Sequence, residues 1–289
     1  MRSAIDDLAT VGSETFPLSW LGGGDGRGGQ GVRGLSVLML HHVEPGPLDP
    51  PPLHANSYLT RDDFARLLDD LAARRMRTLT LAEAVSGTPG KPPRRGVVLT
   101  FDDGCRCFRD HALPELEARG MTATLFAVSG ELGGTNRWDR EAGERTEELL
   151  DAGELRRIAA AGIEIGSHGR HHRDLPHCSD AELREELEGS RADLESTLGR
   201  PVQTFCYPFG HVDERTREAA RAAGYLAAVS IHAQPGARPG DLWALPRMIV
   251  NPGESRFERR LKTNGLYPLW SRLPRLGLLR ALRPGRAAG

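Results

Sequence analysis

The chain has no surplus of charge, no long apolar run and no cysteine pairing pattern, and each absence removes a class of function. Its 289 residues carry 38 Lys and Arg against 39 Asp and Glu, a formal net charge of −1, which argues against bulk nucleic-acid binding. No run of roughly 18 apolar residues occurs, so no transmembrane helix is expected. The four cysteines (Cys105, Cys107, Cys178, Cys206) form neither a CxxC pair nor a disulfide framework, and reduced thiols in a cytosolic protein are the expectation. Residues 1–18 contain Asp6, Asp7 and Glu14 and no apolar core, so no export signal and a cytoplasmic location are expected. The glycine-rich run 21–34 lacks the Lys-Ser/Thr ending of a phosphate loop and reads as a flexible leader spanning 1–34. No internal repeat of fixed period is present.

What the chain does have is organised around Val97-Val98-Leu99-Thr100-Phe101-Asp102-Asp103-Gly104. The apolar part reads as a buried parallel strand, too short for a helical period. Adjacent strand residues face opposite sides, so Asp102 and Asp103 should point in different directions unless the turn at Gly104 re-aims them. Two acids so placed can take two tasks, one binding a cation and the other handling protons.

Around this stretch, strands and helices alternate with short connections. Strands are predicted at 35–40, 78–81, 122–128, 162–166, 204–207 and 225–231. Capping signals open helices at Thr60-Arg61-Asp62-Asp63 and Ser179-Asp180-Ala181-Glu182. Such alternation predicts parallel strands with helical crossovers, either a barrel or a doubly wound sheet. In both, function gathers at the carboxyl ends of the strands. Those ends deliver His41, Asp102-Asp103, His168 and Tyr207-Pro208-Phe209-Gly210. His168 and His172, four residues apart, share a face on a helical turn and can reach one ion. Asp103 would add an oxygen, giving a His₂-carboxylate set suited to Zn²⁺, Co²⁺, Ni²⁺ or non-haem Fe²⁺. His171 is a rival ligand.

Three segments occur in order: Thr100-Phe101-Asp102-Asp103-Gly104, Ser167-His168-(three residues)-His172-Arg173-Asp174-Leu175, and Phe205-Cys206-Tyr207-Pro208-Phe209-Gly210. They closely resemble the first three signature motifs of the polysaccharide deacetylases, carbohydrate esterase family four, which share the NodB homology domain. Val37-Leu38-Met39-Leu40-His41-His42-Val43 also resembles the opening strand of the exopolysaccharide-type members. The resemblance covers roughly 35–252. It implies a single α/β domain, a distorted (β/α)7-type barrel, and a divalent metal, most often Zn²⁺ with Co²⁺ or Ni²⁺ as alternatives. Carried over by position, Asp103, His168 and His172 bind the metal, Asp102 is the catalytic base, and Tyr207 lends its backbone N–H to the oxyanion. The implied activity is hydrolysis of the acetamide, a linear amide, of an N-acetylated sugar or polysaccharide.

The chain departs from the pattern in two places. The region corresponding to the family's fifth motif, Trp243-Ala244-Leu245-Pro246-Arg247-Met248-Ile249, has no Leu-x-x-His to supply a general acid, and His41 is the candidate for that role or for substrate contact. The arginine often found in the third motif is absent, with Gln203 where it is expected. Arg247, in Leu245-Pro246-Arg247, resembles the exopolysaccharide branch and offers charge-assisted pairing to Asp102, a surface salt bridge being the alternative. Trp138, in a polar loop, is a candidate for stacking on a sugar. From Arg259 onward there are eight basic residues and no acidic one, and leucines alternate with arginines around Trp270. The 253–289 tail therefore carries the expectation of peripheral contact with an anionic inner membrane face, suiting a lipid-linked glycan. An O-acetyl esterase and a silent carbohydrate-binding module are the alternative functions.

Overall fold

The computed structural model describes residues 35–86, 96–141, 143–231 and 241–266. The glycine-rich leader, His232 and the leucine–arginine run around Trp270 lie outside the described residues. The strands are β1 (Leu35–Leu40), β2 (His42–Glu44), β3 (Tyr58–Thr60), β4 (Arg77–Leu79), β5 (Gly96–Phe101), β6 (Thr124–Ala127), β7 (Glu164–Ser167), β8 (Thr204–Cys206), β9 (Ala227–Ser230), β10 (Leu245–Pro246) and β11 (Met248–Ile249). The main sheet runs β10-β9-β8-β7-β6-β5-β1-β11, and every ladder in it is parallel.

The two ends of that order are the same piece of chain. β10 pairs with β9 through Leu245↔Val229, and one residue later β11 pairs with β1 through Leu38↔Met248. Arg247 alone separates them. The stretch 245–249 therefore joins both edges of the sheet and makes a nearly closed barrel of parallel strands. On the other flank β5 bonds β4 at Val97 and β6 further along at Thr100, so β4 wedges into the wall at its amino end. The small parallel pair β2–β3 sits beside the main sheet. Sequence periodicity did not anticipate β2, β3 or the split closing strand, each two or three residues long.

Every residue of β5 is buried, which only a strand covered on both sides can be. Alternation divides them. Val97, Leu99 and Phe101 pack outward against helices, together with Phe64, Leu68, Phe108 and Ile158. Val98 packs inward with Phe126, Cys206 and Val229, above a plug of Leu79, Leu81 and Ala84 at the barrel's amino end. Continuing the inward register from Val98 through Thr100 brings Asp102 into the interior at the carboxyl end. The barrel is narrow: a Cβ on Gly166 would lie 2.5 Å from the Phe126 ring.

Outside, the predicted caps are formed. Thr60 accepts from the Asp63 amide ahead of helix Arg61–Ala73, and Ser179 with Glu182 makes the reciprocal box ahead of helical residues 180–198. Pro114 follows the π-helical turn Phe108–Ala112 in one helical run that continues to Glu117, so it stands inside the run rather than at its start.

Candidate active site

At the carboxyl ends of the strands lies a cavity of about 660 Å³, lined by His41, Asp102, Asp103, His168, His172 and Arg247 among others. Asp102 and Asp103 were expected to face apart unless the turn at Gly104 re-aimed them. They do not, because Asp103 adopts a left-handed conformation (φ 71°) and Gly104 follows in the same region (φ 76°). That kink re-aims Asp103 into the cavity that Asp102 already faces. His172 (φ 56°) and Phe209 (φ 59°) are left-handed as well. A non-glycine residue held there is strained, and such strain concentrates at functional sites.

Asp103 and the two histidines converge. His168 Nε2 lies 3.5 Å and His172 Nε2 3.7 Å from Asp103 Oδ1. Ligand atoms around a tetrahedral ion at about 2.1 Å sit roughly 3.4 Å from one another, so these spacings fit one small cation. The supporting contacts agree. His168 Nδ1 is 2.8 Å from the Cys206 carbonyl, which fixes the ring with Nε2 inward. The Trp138 ring stacks on His172 at 4.4 Å between centroids, and Phe209 meets its edge at 4.6 Å. Burial, reinforced by His168, pushes His172 down to about 3, so its imidazole is neutral as a ligand must be. Burial would raise Asp103, but the His168 hydrogen bond and the neighbouring histidines hold it well below the usual carboxylate range.

Two other trios among the described residues have ligand atoms close together: His42, Asp103 and Cys105, and Asp102, His168 and Cys206. Neither suits a cation as well. Burial raises the Cys105 and Cys206 thiols, and both oxygens of Asp102 are taken by an arginine. His171 is no rival ligand: its ring turns to Glu131 at 3.5 Å.

Arg247 is not on the surface. It is buried at the barrel seam and grips Asp102 with two bonds, Nη1 to Oδ1 at 2.6 Å and Nη2 to Oδ2 at 2.7 Å. Its remaining donors reach Thr100 Oγ1 and the Ser230 carbonyl, and Nη2 also lies 3.2 Å from Cys206 Sγ. Burial pushes Asp102 up, yet the guanidinium charge and its hydrogen bonds outweigh burial and keep Asp102 below its ordinary value. Gln203 lies exposed at the amino side of β8, far along the strand from this pairing; the residue against Arg247 is Cys206. His41 Nε2 stands 3.7 Å from Asp102 Oδ2 and is one-fifth exposed. Its neighbour His42 is instead buried against the Tyr58 ring at 4.3 Å.

One assignment needs correction. The Tyr207 amide does not face the cavity as a free donor, because it donates to the Val229 carbonyl at 3.1 Å in continuation of the β8–β9 ladder. The Tyr207 hydroxyl is likewise committed, donating to the Trp243 carbonyl. Two residues on, the strained Phe209 lines the cavity, and its amide donates to no acceptor among the described residues. Trp138, whose inner face covers His172, is a buttress rather than an open sugar platform. Its neighbour Asp139, which sequence reasoning passed over, also lines the cavity; burial, with Asp103 nearby, pushes it up to about 7. Only its place beside Trp138 in the polar loop pointed to it.

The comparisons with known proteins agree with this geometry. The polysaccharide deacetylase family matches residues 89–228. The Bacillus subtilis protein YxkH, named after that family, is 28% identical over 76% of this chain and 73% of its own. The poly-β-1,6-N-acetyl-D-glucosamine N-deacetylase of Staphylococcus aureus is 22% identical over 72% of each chain. Among solved structures, the Streptococcus pyogenes deacetylase PplD in complex with acetate superposes with a TM-score of 0.68 at 22% identity, covering 80% of this chain and 97% of that one. The motif-bearing strands lie inside the matched segment and the barrel is shared, so the chain is similar to the polysaccharide deacetylases in both sequence and fold.

Proposed function

We propose that the protein is a metal-dependent hydrolase that removes the acetyl group from an N-acetylated sugar or glycan. The observation that carries this is the meeting of Asp103, His168 and His172 beside a second, separately held carboxylate in one cavity. Those three side chains would hold a divalent cation, with Zn²⁺ the natural choice for two imidazoles and a carboxylate. Bound there, such an ion supplies Lewis acidity, acidifying water and polarising the acetyl carbonyl.

The chain's own groups divide the rest. Asp102 is ionised throughout neutral pH and accepts the proton of the attacking water, and Arg247 fixes the carboxylate plane so that the free lone pairs aim into the cavity. The Phe209 amide is the donor available to the oxyanion as the carbonyl becomes tetrahedral. His41, near Asp102 and open to solvent, passes a proton to the departing nitrogen. The decisive experiment measures metal content and acetate release together, on N-acetylglucosamine oligomers and on acetylated xylan. Chelation should abolish release from the oligomers and Zn²⁺ should restore it. Release from xylan alone would make the protein an O-acetyl esterase, and a protein that neither binds metal nor releases acetate would overturn the reading.

A further inference from the structure

The candidate active-site cavity does not end at His41. A second bay of about 710 Å³ opens beside it, and the two share His41, His54 and Ser57 as a common wall. The chemistry changes across that wall. The first cavity is crowded with histidines and acids. The bay is lined by Met39, Leu40, Leu53, Leu59, Ile249 and Val250, with Ala55 and the polar Asn56 and Ser57 on the same loop, and apart from His41 and His54 of the shared wall its described lining holds no charged or aromatic side chain. Its floor comes from the carboxyl ends of β1 and β11, the two strands joined at the seam. At its mouth Leu53 is 70% exposed, the most exposed of the large hydrophobic side chains among the described residues. An apolar side chain left in water beside a catalytic cavity is a feature that a ligand can cover.

Sugar rings are normally gripped by aromatic faces and by dense polar contacts, and the described lining of this bay offers no Phe, Tyr or Trp, only the two histidines of the shared wall. Aliphatic walls recognise aliphatic ligands, and the shared wall puts the bay next to the cavity that holds Asp103, within reach of a substituent on a group seated there. Resting on the deacetylase reading above, we propose that the substrate carries an aliphatic aglycone, and that the bay holds it while the acetamido sugar occupies the first cavity. Specificity then comes from a wall of β1, β11 and the 53–57 loop, not from the groups that perform the chemistry.

The test is a homologous series of methyl, butyl and hexyl β-glycosides of N-acetylglucosamine, used below micelle-forming concentrations. Each buried methylene contributes up to about a fourfold gain in binding. In the wild type kcat/KM should rise about two- to fourfold per added methylene, the change falling on KM. In Leu53→Asp, and independently in Ala55→Asp, that dependence on chain length should flatten; both positions are exposed, so neither substitution disturbs the core. Hexyl β-glucoside, which has no acetamide, should bind the wild type in calorimetry and bind Leu53→Asp at least about tenfold more weakly. Methyl glycoside turned over with no gain along the series overturns the bay while leaving the deacetylase reading intact. If no member of the series is hydrolysed, the deacetylase reading fails, and the calorimetric comparison alone decides whether the bay takes an alkyl group.

Discussion

The amino ends of the outer helices and the turns at the barrel mouth are both places where backbone groups must find partners outside regular structure, and they are built differently. Four of the outer helices begin with a reciprocal box: Asp151 with Glu154, Ser179 with Glu182, Asp213 with Thr216, Ser255 with Glu258. Each has an extended capping residue and both orphan donors satisfied, all within four residues of sequence. At the mouth, Asp103, His172 and Phe209 are held left-handed, each at a cost of roughly 1–3 kcal/mol, and the Phe209 amide has no acceptor among the described residues. The rim of helices stabilises the fold. The mouth draws on that stability to hold Asp103, His172 and Phe209 around the cavity.

Substitutions should therefore separate the two regions by what they damage. The largest effect belongs to Asp102→Asn. Loss of the base should lower kcat by about 10²–10⁴, with metal content unchanged and folding intact, whereas Asp103→Ala should lose the metal and the activity together. Acetate release and metal analysis on the same preparations check both. A near-normal rate for Asp102→Asn would remove it from the base role.

Next comes Arg247→Met, which breaks the comparison because it lies in both categories. It leaves a buried carboxylate without its partner, and removal of one member of such a pair typically costs about 3–5 kcal/mol. The sign with pH follows from the Asp102 shift. In the wild type Asp102 is depressed, so its pairing stabilises the fold above the ordinary carboxylate range and is lost as pH falls through the folded value. In the variant only His41 and His168 remain to oppose burial, and Asp102 rises. The acid limb of the pH–rate profile should then move to higher pH, and the stability gap between the two proteins should narrow when denaturant unfolding is repeated near pH 3.5. An unmoved acid limb would mean that Asp102 does not govern it. His41→Gln should be milder, slowing turnover about 10–10²-fold on an N-acetyl substrate. The loss should be smaller on an O-acetyl ester, whose leaving group needs less help from an acid.

How much of this was legible in the chain depended on how local the cause was. Helix starts at Thr60 and Ser179 and the strand 96–101 follow from residues a few positions apart, and they stand where the sequence places them. The site residues were legible as polar groups at strand ends, in segments resembling a known family. Their geometry was not. Asp103 joins Asp102 in one cavity through a left-handed turn at Asp103-Gly104, a re-aiming the sequence left open and only the fold decides. The strand at 245–249 escaped notice because each half is two residues long and gains its partners from opposite edges of the sheet. The burial of Arg247 follows from that closure alone. Tyr207 was mistaken for the free donor because its amide belongs to a ladder with Val229, a partner 22 positions along the chain.

The smallest effect returns to the helices. Ser179 accepts from the Glu182 amide and holds the first turn of the helix that carries Glu186, whose carboxylate in turn receives the amides of Arg170 and His171 in the loop between His168 and His172. Ser179→Ala removes the capping oxygen at a cost of about 1 kcal/mol, a fall in Tm of roughly 2–4 °C for a domain of this size. Glu186 lies two turns further along, anchored by the packing of Leu183 and Leu187 rather than by the cap, so the histidine loop should not feel the loss. Thermal unfolding should shift while kcat, KM and metal affinity stay at wild-type values. A change in metal affinity instead would show that the helix start and the mouth are one cooperative unit, and the contrast between them would not survive.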